Sequence, residues 1–114
     1  MRHDEFIGQV QNRAKLSDRG EAAGVTRATL ETLGERIPEP LAANLACERF
    51  GHDEFIRRVA QRGHTDGPQA TYRSRVVLEV VGEATTGGSM DKIRESLPDD
   101  LRVLVDAGSS GALE

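Results

Sequence analysis

The sequence predicts an all-α fold: a single-domain helical bundle of two pseudo-symmetric three-helix repeats. Three observations predict it. The pentapeptide His-Asp-Glu-Phe-Ile stands at His3–Ile7 and again at His52–Ile56. The hexapeptide LETLGE (Leu30–Glu35) returns as LEVVGE (Leu78–Glu83) at nearly the same offset. Apolar residues recur at three- and four-residue steps, the period of a helix buried on one face, and no segment alternates strictly as a half-buried strand would.

The first helix is expected over His3–Ala14, where Phe6, Ile7, Val10 and Ala14 share a face with His3. Asp4 and Glu5 fall in its first turn, where negative charge complements the helix dipole. LSDRGE (Leu16–Glu21) reads as a loop in which Ser17 or Asp18 caps the next helix. That second helix spans Glu21–Ile37 and is expected to bury Ala23, Thr26, Leu30, Leu33 and Ile37, with Gly34 inside the stripe and Arg27 at its edge. Pro38 stops it, because proline restricts the preceding residue and donates no N–H to the ladder. Leu41 and Leu45 mark a short third helix ending near Glu48.

The pattern then restarts. His52–Arg62 repeats the first helix, with Phe55, Ile56 and Val59 replacing Phe6, Ile7 and Val10. GHTDGP (Gly63–Pro68) is a turn, and Gln69–Thr85 repeats the second helix. Its stretch RVVLEVV (Arg75–Val81) is rich in β-branched residues, but its match to RATLETL (Arg27–Leu33) makes it helical. A TTGGS loop follows, then a short helix through Met90, Ile93 and Leu97, interrupted at Pro98. Leu101, Val103, Leu104 and Val105 make a last apolar turn or helix. The domain is expected over residues 1–106, with repeats at about 2–49 and 51–105 and a mobile tail at 107–114. Length changes between the copies fall in loops, as a structural repeat requires. A unit of about fifty residues buries too little surface to be comfortable alone, so each second helix should lie centrally and burial between units should supply the rest.

At 114 residues and 37% hydrophobic content, with only Phe6, Phe50, Phe55 and Tyr72 as aromatics, the core must be aliphatic. A net charge of -4 argues against nucleic acid, whose binding leaves an excess of Lys and Arg. Cys47 is the single cysteine, so neither an internal disulfide nor a multi-cysteine zinc site is possible. The chain has no apolar run long enough to span a membrane, and its start lacks a secretory apolar stretch, so the expected place is the cytoplasm.

Four groups of residues invite a functional reading. Gly34 and Gly82 occupy the same place in each copy, and their structural reading is a close helix crossing. Arg27 and Arg75 border the two second-helix stripes, each four residues before a Glu (Glu31, Glu79). Either they cover apolar surface with their stems, or they form an anion site in each repeat, since the guanidinium fork suits a carboxylate. His3 and His52 open the two HDE triplets. Adjacent helical residues diverge by about 100°, so one triplet cannot close around a metal, and no metal site is expected. His64 falls in a loop, and Cys47 among Ala and Leu reads as packing. Arg57, Arg58, Arg62 and Arg73 make a locally basic middle absent from the first copy, a solvated face or the place for an acidic partner.

DEFIGQVQNRAKL with RATLETLGERI, then DEFIRRVAQR with RVVLEVVGEA and IRESLPDDLRVL, resembles the bacterial family called domain of unknown function 2267, over about residues 2–105. The resemblance implies an all-helical domain of two related halves. It implies no established activity, catalytic residue or cofactor. The first reading is therefore a non-catalytic interaction module that binds a protein partner or itself. The alternative is a small anionic-ligand binder or enzyme with a pocket between the repeats, using Arg27, Arg75, His3 and His52.

Overall fold

The computed structural model describes residues 2–36, 51–86, 94, 95 and 97–107. Five α-helices are found among them: α1 (His3–Arg13), α2 (Arg19–Arg36), α3 (His52–Arg62), α4 (Gly67–Thr86) and α5 (Arg102–Ala107), with a 3₁₀ turn at Asp99–Leu101 before α5. The expected helix at Leu41 and Leu45, Cys47, the expected Met90–Ile93 stretch and the tail beyond Ala107 lie outside the described residues. No strand occurs among the described residues, and RVVLEVV is helical, inside α4. No helix among them is long and apolar enough to cross a membrane.

Equivalent ends of the two copies are built alike. α1 closes with Lys15 in the left-handed region (φ 58°), and the Leu16 N–H donates to the Gln11 carbonyl at 2.9 Å. α3 closes with His64 at φ 55°, and the Thr65 N–H donates to the Ala60 carbonyl at 2.9 Å. Both are Schellman ends, which satisfy carbonyls that a helix terminus otherwise leaves bare. The following helices start alike too. The Asp18 carboxylate accepts the Glu21 N–H at 2.7 Å, and the Asp66 carboxylate accepts the Gln69 N–H at 2.8 Å. Of the two expected caps on α2, Asp18 takes the role, while Ser17 donates its hydroxyl to Glu21 at 2.8 Å.

Among the described residues two apolar clusters form, and each draws on both copies. One gathers Ile7, Val10 and Leu16 with Ala22 and Val25 of α2 and with Val76, Val77 and Val80 of α4. The other gathers Phe55, Ile56 and Val59 with Ala28 of α2, Leu78 of α4 and the C-terminal Leu97, Leu101 and Leu104. α1 thus packs on α2 and α4, α3 packs on α4 and α2, and α5 closes over α4. Residues Ser74–Leu78 of α4 are buried in succession, so that helix is covered on every side at its middle, Ser74 and Arg75 included. This explains its β-branched composition: every face meets a neighbour.

On α2 the structure corrects the expected stripe. Ala22, Val25, Thr26, Ala28, Thr29 and Thr32 are buried, whereas Leu30 is 40% exposed. The three threonines each donate the hydroxyl to the carbonyl four residues back, at 2.9, 3.0 and 2.7 Å. A hydroxyl satisfied on its own backbone can be buried at little cost, leaving the methyl to pack. The close crossing expected at Gly34 is also absent. Gly34 is exposed, and a Cβ placed there would meet nothing within 4 Å. Gly82, its counterpart, is buried.

Candidate functional site

Most charged side chains that bind the helices together were invisible as pairs in the sequence. Arg13 of α1 reaches α4 and grips Glu83 with both terminal nitrogens at 2.7 Å while also donating to Glu79. The hydrogen bond to Glu83 raises the Arg13 pKa further, burial opposes the shift, and Glu79 adds to it. Tyr72 donates its hydroxyl to the Arg13 carbonyl at 2.7 Å, closing the same seam. Glu79, four residues after Arg75 on α4, is reached by Arg13 from α1.

On the opposite side, Glu35 of α2 accepts from Arg62 at 2.7 Å and from Arg58 at 3.1 Å, both on α3. Arg62 also donates to the Thr32 hydroxyl at 2.8 Å. These bonds, that of Arg62 first, hold the Glu35 carboxyl below the usual carboxylate range. Glu54 accepts from Arg57 at 2.6 and 2.7 Å and from Arg58 at 2.7 Å, which lowers its pKa to about 2. Three of the four arginines of the basic middle are therefore tied to carboxylates of this chain.

Arg73 differs. Its side chain is 15% exposed, its Nε is buried with no hydrogen-bond partner, and its nearest carboxylate oxygen, on Glu21, lies 3.8 Å from Nη2. It lines a groove of about 380 Å³ with Gly20, Glu21, Gly24 and Val25 of α2 and Arg62–Thr65 at the end of α3. The left-handed backbone at His64 turns the chain there, so that Arg62, His64 and Arg73 meet at one opening. Missing side chains at Gly20, Gly24 and Gly63 leave backbone accessible along the rim. The sequence placed Arg62 and Arg73 in one patch with His64 in the loop between them, but Glu21 joins them only through the fold.

The four residues proposed for an inter-repeat anion site stand in different surroundings. His3 and Arg27 are exposed. Arg75 is buried, its guanidinium 6.0 Å from the centre of the Tyr72 ring, so it is not the edge residue its spacing suggested. His52 is half-buried, with Nδ1 3.5 Å from Asp53 and Nε2 buried without a partner. None of the four lines the Arg73 groove or a second groove of about 400 Å³ at Gly8, Gln11, Asn12, Lys15 and Leu16. Among the described residues, no three His, Cys, Asp or Glu side chains stand close enough to hold a metal ion.

A family model described as an uncharacterized conserved protein, DUF2267, matches the chain twice, over residues 3–48 and 46–104. No curated protein and no solved structure matches it.

Proposed function

The chain belongs to the DUF2267 family, and from that premise we propose a non-catalytic protein-interaction module whose Arg73 groove takes an acidic segment of a partner protein. One observation carries this reading: Arg73 is the groove arginine whose hydrogen-bonding capacity the chain leaves largely unused. Its Nη2 stands 3.8 Å from the Glu21 carboxylate, too far for a hydrogen bond, so a carboxylate entering the groove can supply the bond that Glu21 does not make. The guanidinium fork accepts a carboxylate through two parallel hydrogen bonds, a geometry that lysine lacks. Arg62 is anchored by Glu35 and Thr32, so it adds positive potential at the opening without having to move.

The test is fluorescence anisotropy of a labelled peptide rich in Asp and Glu, titrated at low and moderate salt. The wild type should bind, with affinity falling as salt rises. Arg73→Gln should weaken binding about tenfold, the loss of roughly 1.4 kcal/mol. Glu21→Gln, which removes the competing carboxylate, should strengthen it. Equal affinity in wild type and Arg73→Gln would refute the groove as the docking place. The alternative, a small anion held between the repeats, draws less support because Arg27, Arg75, His3 and His52 differ so much in exposure.

A further inference from the structure

We infer that α2 pairs with α2 of a second copy of this chain, antiparallel, across the face that carries Arg27, Leu30 and Glu31. The seam shares Gly20 and Gly24 with the rim of the Arg73 groove, so pairing would narrow that groove, but the charges that choose the occupant lie outside it. Gly20, Gly24, Arg27, Glu31 and Gly34 follow one another at steps of four, three, four and three, and all five are exposed. That spacing draws a straight seam along a helix, the seam by which one helix lies against another. Leu30 flanks the seam and is 40% exposed, an apolar side chain that this chain leaves in water.

The charges on this face choose the occupant. Arg27 and Glu31 make no hydrogen bond or ion pair among the described residues, although they stand at a spacing that permits one. A two-fold axis at the level of Thr29 sets Arg27 opposite Glu31 of the partner subunit, and Glu31 opposite Arg27 of the partner subunit. The same axis sets Gly24 opposite Gly34 of the partner subunit, and brings the two Leu30 side chains together beside the seam. A two-fold interface needs a patch complementary to itself, and this one is complementary in charge, in apolar contact and in the absence of bulk at both ends. A Cβ placed on Gly24 or Gly34 would meet nothing within 4 Å, so the backbone there is open to a close neighbour.

Charge reversal tests the pairing without touching the core. Sedimentation equilibrium over a concentration series should show the wild type associating to a dimer. Arg27→Glu alone faces Glu with Glu, and Glu31→Arg alone faces Arg with Arg. Each should weaken self-association about tenfold or more. An equimolar mixture of the two variants restores both opposite-charge pairs and should dimerise about as well as wild type. Circular dichroism should show both variants folded, since both positions are exposed. A wild type that stays monomeric throughout, or variants that associate equally alone and mixed, would overturn the pairing. Neither Arg27 nor Glu31 lines the Arg73 groove, so peptide binding and dimerisation can fail separately.

Discussion

Lys15 and His64 sit forty-nine residues apart, and both hold left-handed backbone, at φ 58° and 55°. A side chain with a Cβ pays for that conformation, by roughly 1 kcal/mol, whereas glycine does not. The chain accepts the cost twice because each residue completes a Schellman end: Leu16 is buried just after the first, and the second opens onto the groove. Lys15→Gly and His64→Gly should therefore each stabilise the fold by about 1 kcal/mol, read as a raised urea midpoint with unchanged slope. Alanine at either place should give no such gain. A destabilising glycine at Lys15 would mean that the lysine side chain contributes more than its backbone costs. This feature was not legible beforehand, because nothing in KLS or GHT distinguishes a left-handed residue from an ordinary turn. The aromatic and aliphatic core of α1 and α3 was legible, since Ile7, Val10, Phe55, Ile56 and Val59 carry the helical period without competition from polar groups.

Helix α2 shows where periodicity misleads. Leucine looks like core and threonine like surface, yet Thr29 and Thr32 are fully buried and Leu30 is not. The hydroxyls vanish into their own helix, and short side chains let α1, α3 and α4 approach closely. Attachment of α2 to α3 depends also on Glu35, whose bonds to Arg62 and Arg58 span more than twenty residues of sequence and so left no local trace. Glu54 links Arg57 and Arg58 along α3. Both carboxyls titrate lower in the folded chain than in the unfolded one, Glu54 at about 2. Their stabilisation is therefore complete above the ordinary carboxyl value of about 4.5 and is lost as the pH falls toward about 2. A Glu35→Gln, Glu54→Gln double variant should melt lower than wild type at neutral pH. The gap should close between about pH 5 and pH 2, because acid removes from the wild type what mutation has already removed from the variant. A gap that stays constant across that range would show that the loss at neutral pH is not ionic.

Across the whole chain, neither cluster belongs to one copy. Ile7 and Val10 of the first copy are covered by Val76, Val77 and Val80 of the second, while Phe55 and Leu78 of the second pack with Ala28 of the first. Arg13 and Glu83, seventy residues apart, tie the same seam from outside. Splitting the chain before Gly51 should therefore strip both halves. A fragment of residues 1–50 loses the α4 wall over Ile7, Val10 and Val25, and leaves the charge of Arg13 unanswered. A fragment of residues 51–114 loses the α2 contribution at Ala28 and exposes Val76, Val77 and Val80. Each such unit buries too small a share of its surface to offset the entropy of ordering it. Circular dichroism should show little helix in either fragment alone. Mixing them in equal amounts should recover most of the intact chain's helicity, in proportion to complex formed. Substituting Val77→Asp in the second fragment should abolish the recovery, because it sets an unpaired charge in the cluster that joins the copies. Fragments that are fully helical and cooperative on their own would mean that each copy is self-sufficient, and that duplication serves something other than burial.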